Sequence, residues 1–162
     1  MLETGMRETA IETIGAVMQN GAFIFVDEAG EKPAYDAEKV CHGVRVDFSG
    51  HHRGSVHLWV DDAFGRYAAA NMLGIDENSP QAVEARDDAV MELLNMTVGN
   101  LLTALYGHTE KFTLSVPEAL PSERYFEDAD SDSNIIIDAE GSILMFHFEG
   151  DIAAEHGSGF CK

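Results

Sequence analysis

The sequence predicts an α+β domain in which long helices pack on an antiparallel or mixed sheet. Three observations carry this. Apolar residues recur at helical spacing in separate stretches, the longest running from Pro80 to about Tyr106. Two other stretches alternate apolar and polar residues in pairs joined by short turns. Hairpins of that kind make neighbouring strands antiparallel, and helices outside them must cover the sheet's apolar face.

The elements follow in order. Ile11, Ile14, Val17 and Met18 place a helix over Thr9 to Gln19, stopped by Gly21. A short strand follows in AFIFVDE, then a polar loop in EAGEKPAYDAE. VCHGVRVDFSG and GSVHLWVDD form a hairpin about the turn SGHHRG, with Val44, Val46 and Phe48 alternating on one side and Val56, Leu58 and Val60 on the other. Asp61 or Asp62 caps a helix through AFGRYAAANML that ends at Gly74. Ser79 followed by Pro80 is a cap with proline at the first helical position, and Gly107 closes the long helix. KFTLSVP reads as a strand closed by Pro117, and EALPSERYFEDADSDSN as an acidic loop. NIIIDAEGSILMFHFE is a second hairpin turning at Glu140-Gly141. Residues 1–150 form one domain, and residues 151–162 a frayed tail. A helix followed by a strand occurs in both halves, which suggests an internal pseudo-duplication.

With 10 Lys and Arg against 29 Asp and Glu, the formal net charge is −19. Nucleic acid is excluded as the ordinary partner, because phosphate binding needs clustered cations. Anionic membranes are disfavoured for the same reason, and no apolar run is long enough to span a bilayer. The acidity either steers association with a basic protein surface or serves solubility alone. Cys41 and Cys161 make no disulfide framework, and read as one small buried thiol and one free thiol in the tail. MLETGMRETA lacks the basic and apolar regions of a signal peptide, so the expected location is the cytoplasm.

The long helix holds an irregularity. At 100° per residue, Asp88, Glu92, Asn95 and Gly99 fall within roughly 60° of one another. Val90, Leu93, Leu94, Val98, Leu101, Leu102 and Leu105 cover the rest. A solvated face ordinarily carries Lys and Arg in i,i+4 pairs with its acids. No Lys or Arg occurs between Asp87 and His108. Asn and Gly are also poor helix formers. One carboxylate and one amide make a poor metal site. An amide can hold a water by donating and accepting, as one does in phosphoryl hydrolysis by GTPases. The residue types also admit a bland reading, in which Gly99 permits close packing and Asn95 bonds a neighbouring backbone.

The spacing Asp-xxx-Glu-xx-Asn-xxx-Gly at Asp88, Glu92, Asn95 and Gly99 resembles the signature of the CheC/CheX phosphatases of bacterial chemotaxis. GSVHLWVDDAFGRYAAANMLG upstream and FTLSVP downstream are similar to the same family, so the likeness covers roughly residues 5 to 150. The resemblance implies a CheX-like fold and hydrolysis of the aspartyl phosphate of a CheY-like response regulator. Asn95 would orient the attacking water, and Glu92 would pair with the receiver's active-site lysine. Asp88 would be accessory, and Gly99 would let the helix pack closely. Mg2+ would belong to the receiver, and the chain would need no cofactor of its own. The first helix offers Glu12 and Gly15 but no Asn, so its half-site lacks the water-orienting amide. A single signature is similar to the CheX type, which implies a homodimer. The alternative is a non-catalytic module that binds receivers, as flagellar switch relatives of the fold do. A third reading makes the stripe a homodimer contact.

His42, His51, His52 and His57 gather around the first hairpin, but adjacent His51 and His52 in a turn lack a third positioned ligand. No metal site is expected there. His108 suits a helix end, Trp59 reads as core, and no phosphate-binding glycine loop is present.

Overall fold

The computed structural model describes residues 2–29 and 41–153. Four helices and seven strands occur there in the order α1 (Thr4–Ala22), β1 (Val26–Glu28), β2 (Cys41–Ser49), β3 (Gly54–Asp61), α2 (Asp62–Leu73), α3 (Pro80–Tyr106), β4 (Thr113–Leu114), β5 (Glu118–Leu120), α4 (Arg124–Ala129), β6 (Asn134–Ala139) and β7 (Ser142–Gly150). All strand pairs are antiparallel. The expected α+β class holds, with the mixed-sheet option removed.

The sheet order is β1-β6-β7-β3-β2-β4, with β5 also on β2. Strands β3 and β7 lie at its centre. Each half of the chain starts with a helix and sends a short strand to the far edge, beside the other half's hairpin. The order therefore maps onto itself by exchange of halves, as the repeated helix and strand suggested.

Helices α1, α2 and α3 cover one face. Val44, Val46 and Phe48 of β2, Val56, Leu58 and Val60 of β3, and Leu144, Phe146 and Phe148 of β7 all enter one buried cluster with α1, α2 and α3. Both arms of the first hairpin thus bury their apolar set on the same side. The opposite face carries a small second cluster of Trp59, Tyr125, Ile136 and Met145, covered by α4. Gly43 pairs with Trp59 across β2 and β3, and the indole lies where a Cβ on Gly43 would have to be.

Helix ends follow the capping residues. The Asp61 carboxylate accepts from the Phe64 N–H at 2.7 Å, and the Ser79 hydroxyl accepts from the Ala82 N–H at 3.3 Å. Gly74 adopts φ 68° at the end of α2. At the end of α1 the expected stop at Gly21 moves on. Phe23 takes the left-handed conformation at φ 56°, and the N–H groups of Phe23 and Ile24 return to the carbonyls of Gln19 and Met18. That conformation exposes Phe23 and buries Ile24, and the strand expected from Ala22 begins only at Val26.

The region after α3 also differs from expectation. KFTLSVP contributes only Thr113 and Leu114 to the sheet. Val116 and Pro117 leave the edge, and Glu118–Leu120 rejoin β2 at Gly43–Arg45. Proline lacks the N–H that the ladder needs, so the edge strand splits there. The stretch expected as an acidic loop thus contains β5 and α4. At the other end, Ile152 is buried in the main core, and the Asp151 N–H donates to the Arg53 carbonyl at 2.8 Å. The loop expected over EAGEKPAYDAE, the tail beyond Ala153 and the two thiols lie outside the described side chains, apart from the loop's first two residues.

Candidate functional site

Helix α3 is 27 residues long, about 40 Å at 1.5 Å per residue. Ala89, Val90, Leu93, Leu94, Thr97, Val98, Leu101 and Leu102 bury one side against the sheet and the neighbouring helices. The polar line stands on the opposite side. Asp88 and Glu92 are exposed, and Asn95 and Gly99 half-buried. The four residues therefore share one accessible stripe, as their spacing requires.

The described residues give Glu92 and Asn95 no side-chain hydrogen bond and no ion pair. The bland reading, with Asn95 satisfied by a nearby backbone group, thus finds no partner for it there. The helix's single arginine is turned away from the line. Arg86 binds Asp62 at the start of α2, and its Nε donates to Asp87 at 3.2 Å. Burial would raise the Asp62 carboxyl, but Arg86 and Arg66 together hold it below its ordinary value. That arginine is thus engaged with Asp62 and Asp87, and the stripe keeps its negative character.

Gly99 has a different consequence from the one expected. A Cβ there would meet only Leu114 Cδ1, at 3.9 Å, which is ordinary contact. The glycine does not bring a neighbour close. It leaves the surface low one turn beyond Asn95. Asp88 borders an apolar groove between α2 and α3, lined by Ala69, Met72, Leu73, Ala85 and Ala89. Leu73 is 57% exposed at its rim. On α1, Glu12 is exposed, and the position three residues on, which Asn95 holds relative to Glu92, is the half-buried Gly15 rather than an asparagine.

A rigid helix can hold an acid and an amide about 5–6 Å apart between Cβ atoms. With no side-chain partner among the described residues, both are available to a molecule that docks on the stripe. The carboxylate can receive a cationic side chain, and the amide can donate to and accept from one water. The stripe carries no nucleophile.

A second constellation was not legible as a site in the sequence. His57 of β3 and His147 of β7 are directly paired across the sheet's central strands, on the face opposite the helices. Asp128 of α4 joins them, with its Oδ2 2.6 Å from His57 Nδ1 and accepting from Trp59 Nε1 at 2.8 Å. Glu149 lies 3.1 Å from His147 Nε2. Burial works to raise the Asp128 carboxyl. Hydrogen bonds from His57 and Trp59, with charge from the histidines, outweigh it and bring the pKa to about 2. The available signal was the phase of the alternation. In VHLWV and FHFE each histidine occupies the position opposite the core face.

A family model described as Chemotaxis phosphatase CheX matches residues 42–140. No curated protein matches in sequence. Among solved structures, CheX in a CheX-CheY-BeF3-Mg complex from Borrelia burgdorferi is 17% identical, with TM-score 0.65, covering 88% of this chain and 96% of that one. A CheX from Desulfovibrio desulfuricans is 16% identical with TM-score 0.67, covering 91% and 99%. A CheX from Vibrio vulnificus is 17% identical with TM-score 0.67, covering 90% and 96%. The matched span contains β2 from its second residue, β3, α2 and the whole of α3, and with it the stripe; on that match, the chain belongs to the CheX family of chemotaxis phosphatases.

Proposed function

We propose that the protein hydrolyses the aspartyl phosphate of a CheY-like receiver domain, using α3 as an inserted catalytic helix. The observation that carries this is the pair of exposed Glu92 and half-buried Asn95, held on a rigid helix with no side-chain partner among the described residues. Asn95 would orient a water in line with the phosphorus. Glu92 would pair with the receiver's lysine and set the register of docking. The receiver would hold Mg2+ and supply the charge stabilisation, so this chain contributes position. The Borrelia burgdorferi relative, seen with CheY, BeF3 and Mg2+, supports the choice of partner. A homodimer belongs to the same reading.

The Glu92 role has its own test. Glu92→Gln should raise the KM for phosphorylated receiver, because a desolvated charge pair that loses one member weakens binding by about 2–5 kcal/mol. Replacing the receiver's lysine with alanine should cost a similar amount. The double change should cost little more than either single one, as for residues in contact. Additive losses would remove Glu92 from the docking contact.

A further inference from the structure

The two facing histidines on the outer sheet face have a hydrogen-bond pattern that leaves a particular vacancy of charge. The Asn134 amide nitrogen donates to the carbonyls of Asp128 at 2.7 Å and Ser131 at 3.1 Å, so its Oδ1 must be an acceptor. His147 Nδ1 lies 2.7 Å from that oxygen and therefore carries the hydrogen. His57 Nδ1 lies 2.6 Å from a carboxylate oxygen of Asp128 and carries one too. In the neutral rings, both Nε2 atoms then present lone pairs.

Those lone pairs face more lone pairs. His147 Nε2 is 3.1 Å from Glu149 Oε1 and 3.5 Å from Asp128 Oδ1. His57 Nε2 is 4.0 Å from Glu149 Oε2. Ser55 Oγ is 3.4 Å from His57 Nε2, but its one hydrogen has a carboxylate acceptor, Glu149 Oε2, at 3.2 Å. Both imidazoles are buried, at 0% and 5% exposure. Burial pushes the His147 imidazole below its usual value, against proton uptake. A positive centre among these lone pairs would satisfy them together.

We propose that His57 Nε2, His147 Nε2 and the Glu149 carboxylate bind one divalent transition-metal ion, with Zn2+ the best match. A tetrahedral ion with bonds of about 2.0–2.2 Å holds its ligands about 3.3–3.6 Å apart. The separations of 3.1 Å from His147 Nε2 to Glu149 Oε1 and 4.0 Å from His57 Nε2 to Glu149 Oε2 stand on either side of that value, to the two oxygens of one carboxylate. The three groups lie, with Asp128, within 4.8 Å of one another. Asn134 and Asp128 accept the two Nδ1 hydrogens, the outer-shell arrangement that orients metal-bound histidine. Glu149 is 34% exposed and gives a way in. Three protein ligands, from β3 and β7, leave the fourth position to water. Arg124 is the competing cation. Its Nη2 donates to Glu149 Oε1 at 2.8 Å and its Nε to Asp128 Oδ1 at 3.2 Å, so it must withdraw as the ion enters.

The test is metal titration of the chelator-stripped full chain, with Co2+ read by its visible ligand-field absorption and Zn2+ by thermal melting. One equivalent of Co2+ should produce the intense absorption of a tetrahedral site, abolished by Zn2+, and Zn2+ should raise the melting temperature in a concentration-dependent way. His147→Gln and the half-exposed Glu149→Gln should each weaken binding by tenfold or more, with folding checked by circular dichroism. Arg124→Gln should tighten it. No absorption with Co2+ and no response of melting to Zn2+ would overturn the proposal and leave a proton-sharing network. Equal binding by the Glu149→Gln variant would also overturn it, placing the ion on other histidines such as exposed His51. Neither readout depends on phosphatase activity.

Discussion

Asn95→Ala should reduce turnover of phosphorylated receiver by roughly 10²-fold or more while leaving receiver affinity nearly unchanged. The size follows from positioning: misplacing a reacting group by about 1 Å already costs on that order. The direction follows from the site. Asn95 sits half-buried on a helix anchored along its other side by Leu93, Leu94, Val98 and Leu101, and among the described residues its side chain holds no hydrogen bond that alanine would break. The variant should therefore fold as the parent does. Glu92, one turn earlier, remains to dock. The measurement is kcat and KM for loss of receiver phosphate. A fall in kcat with constant KM marks an interaction made in the transition state, and a rise in KM alone would make Asn95 a binding residue.

Asp128→Ala should destabilise the metal-free protein by about 3–5 kcal/mol, the usual consequence of removing one partner from a buried charge network. For a chain of this size that is a fall of about 6–20 °C in melting temperature. Two fully buried donors, His57 Nδ1–H and Trp59 Nε1–H, would lose their shared acceptor, and Arg124 would lose its bond within α4 while keeping the one to Glu149 of β7. Asp128→Asn keeps an oxygen for one donor and should lose less. Glu127→Ala is the control. Its carboxylate meets Arg124 at the surface with 74% of the side chain exposed, and its loss should move stability by no more than about 0.5 kcal/mol. Thermal melting of the four proteins, chelator-treated, checks the order. Equal stability of Asp128→Ala and parent would mean the network contributes nothing to the fold.

The long helix was legible because every local signal agreed: a capping Ser79, Pro80 behind it, sustained apolar spacing and Gly107 at its end. The stripe was legible for the same reason, since spacing on a straight helix fixes which residues share a face. The hairpins were legible from alternation. The misread segments lack such signals. β5 has three residues, too few to show a period, and exists because Pro117 splits one edge strand into two. α4 has six residues, and its tie to the sheet is made through Arg124 and Asp128, which meet side chains of β3 and β7. That long-range contact is invisible in the sequence around it. The histidine cluster was hidden likewise. Its members are spread from position 57 to position 149, and only the pairing of β3 with β7 brings them together. The histidines that stood out as neighbours in the sequence, His51 and His52, are instead in a turn, where His52 stacks on Tyr106 at 4.1 Å.

The most direct test of the account is to mix the protein, in substoichiometric amount, with phosphorylated CheY-like receivers and follow loss of phosphate. The account predicts that each molecule clears many receivers, and that this acceleration disappears in Asn95→Ala. Saturable binding to a receiver with no acceleration over its own decay would contradict it, and would make the exposed line on α3 a docking surface without catalysis.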